Sequence, residues 1–398
     1  MKQEWPLVTI VMPAYNHELF VEDAIRSVHN QTYQNIELIV INDGSRDNTA
    51  DCIQAVWEKH NKSFTYISRS NKGLSSTLSE GLSLAKGKYF FYVASDDMIY
   101  PYYVEVMVDF FEKYSSDVGL FVSEVTTNYG FIKKADLGKY YSETYEKIWD
   151  CLTRNTCLIP VENNPGKAEV MFRCNLEYSF YRAVLKDAGI TNGQEAVMLD
   201  GVLKSNIYRG ISDLIKPKDI LITEPYHALE DFLFLKKGCL GPTLFFRTEA
   251  LREVGGFNKE LALEDNYIVF ETALKYKVGF VHEKMIFYRH HDSNTAKSAA
   301  VKIGKSAILT LDIFFKRHSE FSKLPLKKKA YATLYLWLAW RHFHLGNYLY
   351  CLKYWWISIF YQPKQLFSRS MINIFLLSLV RRERWVHRKT TGEEPLIK

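Results

Sequence analysis

The chain has 398 residues, of which 47% are hydrophobic and 24% are charged, and this composition excludes an intrinsically disordered protein. At this length, roughly two or three globular domains are expected. The formal net charge is +6, but residues 299–398 hold 18 Lys and Arg against 5 Asp and Glu, so the residues before them are acidic on balance. That acidic majority argues against a nucleic-acid-binding protein.

The cysteines and the apolar runs bear on the cellular compartment. No two cysteines form a CxxC pair or a spacing typical of a metal site, which predicts reduced thiols in a cytoplasmic protein. The longest apolar runs of the C-terminal quarter, such as "YATLYLWLAW" and "MINIFLLSLV", are shorter than the ~20 residues that cross a bilayer. The sequence therefore predicts no membrane-spanning helix.

The first 125 residues alternate between short β-rich runs and segments with helical spacing. In chain order the runs are "LVTIVM", "IELIVI", "FTYI", "KYFFYVA" and "VGLFV". Their apolar residues are nearly continuous, as in strands that helices cover on both faces. The pattern predicts an α/β fold with a doubly wound, mostly parallel sheet.

A polar segment follows each of the first four strands: "PAYN", "NDGSRDNT", "RSNKG" and "SDDMIYP". Because ligands of open α/β sheets bind outside the carboxyl ends of the strands, these segments are expected to meet at one edge. Turn formation and helix capping, for example by Ser45 or Asp47, explain part of the pattern. They do not explain Tyr15, or the adjacent carboxylates of Asp96 and Asp97, which repel each other unless both face water or a cation bridges them.

After residue 125, the sequence indicates secondary structure clearly in some segments and not in others. Residues 126–240 give no clear pattern. From "GPTLFFRTEALREVGGF" onward we expect a strand and a short helix, then a helix in "LALEDNYIVFETALKYK" and a short strand before "YRHHDSNT". After residue 299 the sequence predicts amphipathic helices with basic ends.

The polar segments offer the groups that a nucleotide sugar needs. Such a ligand presents a flat base, a ribose and a negatively charged diphosphate. Tyr15 can stack on the base, and Asp43 can accept a hydrogen bond from a base N–H. Asp96 or Asp97 can hold Mg²⁺ or Mn²⁺ against the phosphates, where the cation would stabilise a leaving diphosphate as a Lewis acid.

Taken in order, these motifs resemble glycosyltransferase family 2, a family of inverting enzymes with the GT-A fold that build bacterial surface polysaccharides. The resemblance rests on "PAYN", "NDGSRD", "NKG", "SDD", "RTEALREVGGF", "LED" and "YRHHDSNT". It covers residues 6–125 and about 240–298. Each motif is unspecific alone, whereas the ordered set is specific.

The resemblance implies a donor site that the strand-end segments form together. Its expected residues are Pro13, Ala14, Tyr15, Asn16, Asp43, Gly44, Asn71, Gly73, Ser95 and Asp96. It also implies a divalent metal cofactor, Mn²⁺ or Mg²⁺, with Asp96, Asp97 and His291 as its ligands. The sequence departs from the family pattern at Ala94, where a further acid is common. This departure leaves open which of Asp96 and Asp97 contacts the metal.

For catalysis, the resemblance implies that Asp265 is the base that deprotonates the acceptor hydroxyl and that Glu264 orients the acceptor or the loop. Without the resemblance, both acids would be expected to stabilise a helix N-terminus. The earlier segment "FYRAVLKDAGITNGQEAVMLDG" would make Asp200 the base instead. The later copy is the fuller match and precedes "YRHHDSNT", so we expect Asp265 to be the base.

The chain is expected to divide into four parts. These are a nucleotide-sugar-binding half (1–125), a variable insert on the acceptor side (126–240), a catalytic half (241–298) and a basic, aromatic helical region (299–398). The last part suits an interfacial helix on anionic headgroups. It suits equally well a helical bundle that packs its aromatic face on the catalytic domain.

The function that the resemblance implies is transfer of a sugar from a nucleotide-linked donor, expected to be UDP-linked, to a lipid-linked oligosaccharide in O-antigen or capsule synthesis. The enzyme would be cytoplasmic and peripheral, on the inner face of the bacterial plasma membrane. A protein or a small glycoside is an alternative acceptor. The alternative from another class is a degenerate nucleotide-binding or scaffolding subunit, which Ala94 motivates.

Overall fold

The computed structural model describes the chain in segments. The described residues are 5–99, 103–114, 116–128, 156–160, 168–172, 220–236, 241–261, 265–289, 300–323, 325–344 and 346–363. The predictions for Glu264 and His291, and the alternative base Asp200, lie outside these ranges.

The described residues form strands and helices that alternate over the first part of the chain. The strands are β1 (Val8–Ala14), β2 (Ile36–Asp43), β3 (Thr65–Arg69), β4 (Tyr89–Tyr92), β5 (Met98–Ile99), β6 (Val118–Asn128), β7 (Thr156–Pro160), β8 (Ala168–Phe172), β9 (Ile220–Thr223), β10 (Leu244–Arg247) and β11 (Lys277–Arg289). The helices are α1 (Val21–His29), α2 (Thr49–Lys59), α3 (Leu74–Leu84), α4 (Tyr103–Lys113), α5 (Pro225–Leu233), α6 (Thr248–Glu253), α7 (Asp265–Lys275), α8 (Ala300–Arg317), α9 (Pro325–His344) and α10 (Tyr348–Tyr361).

A single large sheet forms the centre of the molecule. Its strands lie in the order β3–β2–β1–β4–β10–β6–β11–β5, and β9 also pairs with β11. The first four strands run parallel to one another, whereas β10 is antiparallel to both of its neighbours. β6 and β11 are again parallel. The predicted fold class, a mostly parallel α/β sheet followed by C-terminal helices, is confirmed.

Strand β1 illustrates why the apolar runs become central strands. All of its residues are buried, and β2 and β4 flank it in parallel. Ile10 and Met12 belong to one buried apolar cluster and Val11 to the other, so alternate side chains enter the layers on opposite faces of the sheet. On the Val11 side, α3 approaches so closely that a Cβ at Gly81 would lie 2.5 Å from a Val11 methyl group.

The strand order reverses direction at the junction of β1 and β4. β2 and β3 lie on one side of β1, and β4 with the remaining strands lies on the other. In open α/β sheets, ligands bind in the crevice at the carboxyl ends of the strands where such a reversal occurs. The segments after β1 and β4 leave the sheet at this crevice.

Helices α8, α9 and α10 pack against the sheet domain. Phe314 of α8 and Tyr331 of α9 belong to the same buried apolar cluster as Ile268 of α7. Glu271 of α7 is 4% exposed and accepts a hydrogen bond from His318 Nε2 over 3.0 Å. These helices therefore pack part of their aromatic surface against the helix that begins at the predicted base.

Only short pieces of residues 126–240 fall within the described ranges. β7 and β8 form an antiparallel pair, and β9 joins the central sheet by pairing antiparallel with β11. α5 follows directly after β9. The domain boundaries at 125, 240 and 298 stay predictions.

Candidate functional site

The segment after β1 is tied to the segment after β2 by short polar contacts. Asn16 has a positive φ of 57°, and its backbone N–H donates to Ser45 Oγ over 3.0 Å. The side-chain Oδ1 of Asn16 also accepts a hydrogen bond from the backbone N–H of Arg46 over 2.8 Å. Tyr15, beside them, remains 39% exposed. Its ring is thus available to a ligand at the crevice, while the segment that carries it is held in place.

Pro13 and Ala14 differ from the two residues that follow them. Both are the last residues of β1 and are buried, and they pair with Ile41 and Asn42 of β2. Ala14 belongs to a buried apolar cluster of the sheet. A contact of Pro13 or Ala14 with the donor stays a prediction.

Asp43 organises the segment after β3. Its carboxylate accepts hydrogen bonds from the backbone N–H groups of Lys72 over 2.8 Å and Gly73 over 2.9 Å. It also forms an ion pair with Arg69, and its backbone carbonyl accepts from Asn71 Nδ2 over 2.8 Å. Both carboxylate oxygens are engaged by the chain, so the structure assigns Asp43 a loop-organising role. Its contact with a base stays a prediction.

Two glycines permit this arrangement for different reasons. Gly44 has a positive φ of 71°, and a Cβ there would lie 2.6 Å from the backbone nitrogen of Asn71. Gly73 has a positive φ of 86°, and a Cβ there would meet nothing within 4 Å. Gly44 therefore allows two loops to touch. Gly73 faces open space that a ligand can fill.

The adjacent acids after β4 have distinct environments. Asp97 is fully buried, and its Oδ1 accepts a hydrogen bond from the backbone N–H of Arg289 over 3.0 Å. Its Oδ2 is buried without a hydrogen-bond partner. Burial, and then the charge of Asp96, raise the pKa of Asp97 well above its usual range. Asp96 keeps 8% of its surface exposed and is the acid of the pair that reaches the crevice.

His17, which the sequence analysis did not select, lies against these acids. Its Nδ1 is 2.7 Å from Ser95 Oγ, and its Nε2 is 3.6 Å from Asp96 Oδ2. Its backbone N–H donates to the buried Thr49 Oγ1 over 2.7 Å. The only sequence signal was that His17 directly follows "PAYN". Its proximity to Ser95 depends on the pairing of β1 with β4.

The end of β11 packs behind the acids. Besides the backbone contact with Asp97, the guanidinium of Arg289 lies 3.4 Å from Asp23 Oδ2 and stacks 5.4 Å from the centre of the Phe20 ring. Burial, followed by the charges of Asp97 and Asp96, raises the pKa of Tyr288 to about 12. The last residues of β11 thus complete the wall of the acid site.

Asp265 begins α7 on the other part of the chain. Its Oδ1 accepts a hydrogen bond from the backbone N–H of Asn266 over 2.9 Å. Burial raises the pKa of Asp265 above its usual range, and the hydrogen bonds from the backbone oppose this in part. Leu261, four residues before Asp265, is attached to α3, since Ser75 Oγ donates to its carbonyl over 2.6 Å. The residue at the end of the described segment before the predicted base is thus bonded to the predicted donor half.

The acid site fits a hard divalent cation. Carboxylate oxygens are the preferred ligands of Mg²⁺ and Mn²⁺. Asp96 keeps part of its carboxylate exposed at the crevice, beside Asp97, whose buried Oδ2 lacks a hydrogen-bond partner. Among the residues that the structure describes, no group of three or more His, Cys, Asp and Glu side chains is close enough to hold a metal. The protein groups described here thus fit a cation whose remaining ligands come from elsewhere, such as a bound diphosphate and water.

A family model described as Glycosyl transferase family 2 matches residues 9–171. Over these residues the chain is similar to the family 2 glycosyltransferases. The resemblance seen in the sequence is thereby confirmed. The matched residues include every predicted donor-site residue and both acids of the pair, whereas Asp265 lies beyond them.

Curated relatives match about a quarter to a third of the chain. An uncharacterized glycosyltransferase of Haemophilus influenzae is 40% identical over 109 residues, which are 27% of this chain and 33% of that protein. Glycosyltransferase GlyA of Streptococcus pneumoniae serotype 4 is 32% identical over 146 residues, which are 36% of this chain and 20% of that protein. The chain thus spans a third or less of the length of these relatives.

The fold is similar to a solved structure over nearly the whole chain. The crystal structure of residues 1–349 of S. aureus TarS in complex with UDP-GlcNAc aligns with a TM-score of 0.50 at 13% identity. The alignment covers 95% of this chain and 92% of that one. At this identity the likeness concerns the fold alone. The likeness in fold extends beyond residues 9–171 to α7 and the C-terminal helices.

Proposed function

We propose that this protein is a metal-dependent, inverting glycosyltransferase that moves a sugar from a nucleotide-sugar donor to a lipid-linked oligosaccharide. The observation that carries the proposal is the meeting of the segments after β1 and β4. His17, Ser95 and Asp96 contact one another at the strand-order reversal of a family 2 domain. The hydrogen bond from Ser75 to Leu261 attaches the segment before Asp265 to the same half.

The donor binds across the segments that follow the first four strands. Tyr15 stacks on the base, since its ring is 39% exposed beside the anchored Asn16. Asp43 fixes the loop that ends at Gly73, and the open space in front of Gly73 receives part of the donor. A UDP-linked donor is supported by the likeness in fold to TarS, which was solved in complex with UDP-GlcNAc.

Asp96 is the acid that contacts the metal, and Asp97 supports it from behind. The support for this assignment is the exposure of Asp96 at the crevice and the bond that commits Asp97 to the backbone of Arg289. When bound, a divalent cation neutralises charge on the diphosphate leaving group. Asp96 holds its carboxylate toward that position because Ser95 and His17 fix the turn after β4.

Asp265 takes the proton from the acceptor. The acceptor oxygen forms a bond to the anomeric carbon, the bond from that carbon to the diphosphate oxygen breaks, and its electron pair leaves with the diphosphate. The hydroxyl proton passes to the Asp265 carboxylate, which burial makes a stronger base than a free aspartate. Attack on the side opposite the leaving group inverts the anomeric configuration.

An exposed apolar stripe on α10 supports a membrane-bound acceptor. Leu349, Trp356 and Phe360 are 67%, 59% and 81% exposed, and their spacing places them on one face of the helix. The exposed Lys353 lies on the same face. Among the described residues, no helix is long and apolar enough to cross a membrane. The stripe suits contact with the surface of an anionic membrane, where a lipid-linked oligosaccharide of an O-antigen or a capsule would be found.

A thermal-shift panel tests the donor assignment. The purified protein is mixed with a series of nucleotide sugars, each with and without Mn²⁺ or Mg²⁺, and the series is repeated on Asp96→Asn. Because a ligand that binds the native state raises its apparent stability, the true donor raises the Tm in a metal-dependent way. The Asp96→Asn variant is expected to lose that rise. If no donor shifts the Tm of the wild-type protein, the degenerate scaffold is the better account.

A further inference from the structure

We propose that His17 is a ligand of the divalent metal, together with Asp96. The inference deepens the proposed function and depends on it, since it assigns the metal site of the same reaction to residues from two segments. His17 Nε2 and Asp96 Oδ2 are 3.6 Å apart. This separation is too long for a hydrogen bond. It is close to the spacing of adjacent ligands around one octahedral ion, which is on the order of 3 Å for bond lengths of about 2.1 Å.

The other ring nitrogen of His17 is arranged as in metal-binding histidines. Such histidines generally use their second nitrogen in a hydrogen bond that fixes the ring orientation. In His17, Nδ1 is 2.7 Å from Ser95 Oγ, so Nε2 is the nitrogen that faces Asp96. The bond joins the ring to the residue directly before Asp96, and the two candidate ligands are held as one unit.

The backbone and the aromatic neighbour restrict His17 further. Its N–H donates to Thr49 Oγ1 over 2.7 Å, and Thr49 is fully buried at the start of α2. The Phe20 ring meets the imidazole edge to face at a centroid distance of 6.2 Å. The side chains of His17 and Asp96 are 19% and 11% exposed, respectively. The pair is therefore shielded by protein on most sides and open at the crevice.

The acids after β4 leave a place for such a ligand. Ala94 has no side-chain donor, and Asp97 is fully buried with one oxygen committed to the backbone of Arg289. Asp96 is then the carboxylate of this turn that reaches the crevice. An imidazole from the segment after β1 supplies the second protein ligand. A nitrogen ligand also favours Mn²⁺ over Mg²⁺, because Mg²⁺ binds oxygen almost exclusively.

Pulsed EPR of Mn²⁺ bound to the full-length protein with UDP tests the proposal, since a coordinated imidazole couples its ¹⁴N nucleus to the metal. The spectra are recorded in a His291→Gln background, which removes the histidine expected from the family resemblance. We expect ¹⁴N coupling there, a change of that coupling when histidine is labelled with ¹⁵N, and its loss on adding His17→Gln. The half-buried His29, which contacts Ser63 through Nε2, provides the control substitution His29→Gln.

The affinity for Mn²⁺ gives a second readout. His17→Gln is expected to weaken Mn²⁺ binding about 10- to 100-fold, whereas His17→Glu, which supplies an oxygen ligand, retains binding but loses the ¹⁴N coupling. Coupling that survives in the His17→Gln, His291→Gln double variant overturns the role of His17. Mn²⁺ bound without any ¹⁴N coupling also overturns it and leaves the transferase proposal intact. A wild-type protein that binds no Mn²⁺ with UDP overturns both.

Discussion

Ser75 on α3 donates a hydrogen bond of 2.6 Å to the carbonyl of Leu261, which lies 186 positions later in the chain. The bond attaches Leu261, four residues before Asp265, to the helix that begins directly after Gly73. We therefore regard this contact as the link between donor binding and proton removal.

Substitution of Ser75 by Ala is expected to lower kcat about 10-fold while the KM for the donor changes less than about 2-fold, because the base loses its alignment but the donor contacts remain. Loss of the buried bond should lower the free energy of unfolding by about 1 kcal/mol. Steady-state kinetics and urea unfolding measure both effects. Ser83→Ala is the matched control, since Ser83 lies on the same helix and bonds only within it. Equal kinetics for the two variants would contradict the proposed link.

Asp265→Asn is expected to lower kcat by about 10²- to 10⁴-fold, which is the usual contribution of a general base. The same variant should be more stable than the wild-type protein at pH 7. The pKa of Asp265 is raised in the folded state, so the fold favours the neutral acid. That stabilisation is present below the unfolded pKa of about 3.9 and is lost as the pH rises through the folded value.

Thermal unfolding of Asp265→Asn and wild type, measured without metal or donor from pH 4 to pH 8, checks whether the substitution raises or lowers stability at each pH. The Tm of the variant should exceed that of wild type at pH 7, and the difference should shrink toward pH 4. The acid limb of the wild-type kcat profile should also lie above the pH expected for a free aspartate. A variant that is less stable at pH 7 would show that Asp265 is not desolvated, and a variant that keeps its kcat would show that Asp265 is not the base.

Gly44→Ala is expected to disrupt the donor site more than Gly73→Ala. Both residues have positive φ, so each substitution adds backbone strain. At Gly44 the new Cβ also lies 2.6 Å from the backbone nitrogen of Asn71, so the loop after β3 must move. We expect Gly44→Ala to cost about 1–3 kcal/mol of stability and to raise the donor KM. Unfolding and kinetics of the two variants in parallel test this, and indistinguishable effects would contradict it.

The double substitution Trp356→Ser, Phe360→Ser is expected to reduce binding to anionic vesicles by 10-fold or more. Each buried apolar side chain contributes about 1.5–3 kcal/mol, and both side chains are now exposed on α10. Co-sedimentation with phosphatidylglycerol vesicles measures the effect. Leu19→Ser is the control because the exposure of Leu19, 67%, lies between those of Trp356 and Phe360, 59% and 81%, but Leu19 lies outside α10. If the control and the double variant bind alike, the stripe on α10 is not the membrane contact.

Local sequence patterns predicted the first strands because their apolar residues are nearly continuous; β1 and β4 are buried on both faces, whereas β3 at the edge of the sheet is only partly buried. "KYFFYVA" became β4, and "VGLFV" became the start of β6. The convergence of the segments after the strands also followed from a general property of parallel sheets. The antiparallel insertion of β10 between β4 and β6 was not predictable in this way, because strand order depends on pairing across the whole chain.

The residues of the candidate site were likewise predictable from the sequence only in part. Asp96 and Asp97 were visible as an acid pair, but their unequal burial arises from packing against β11, far along the chain. His17 was missed because neither it nor the adjacent Glu18 belongs to a motif that suggests a metal site, and Glu18 instead accepts hydrogen bonds from Asn48. Its partners Ser95 and Asp96 come close only because β1 pairs with β4. The engagement of Asp43 by Arg69 and the backbone of the next loop likewise required the folded chain.

The most direct test of the transferase account is the release of nucleoside diphosphate from the donor that stabilises the protein, measured with Mn²⁺ and a lipid-linked saccharide extract. The account predicts metal-dependent release by the wild-type protein. It predicts a loss of at least about 10²-fold in Asp96→Asn, whose unfolding curve without ligand should remain cooperative. Equal release by both proteins would remove Asp96 from the mechanism. No release from any nucleotide sugar would contradict the proposed transferase activity itself.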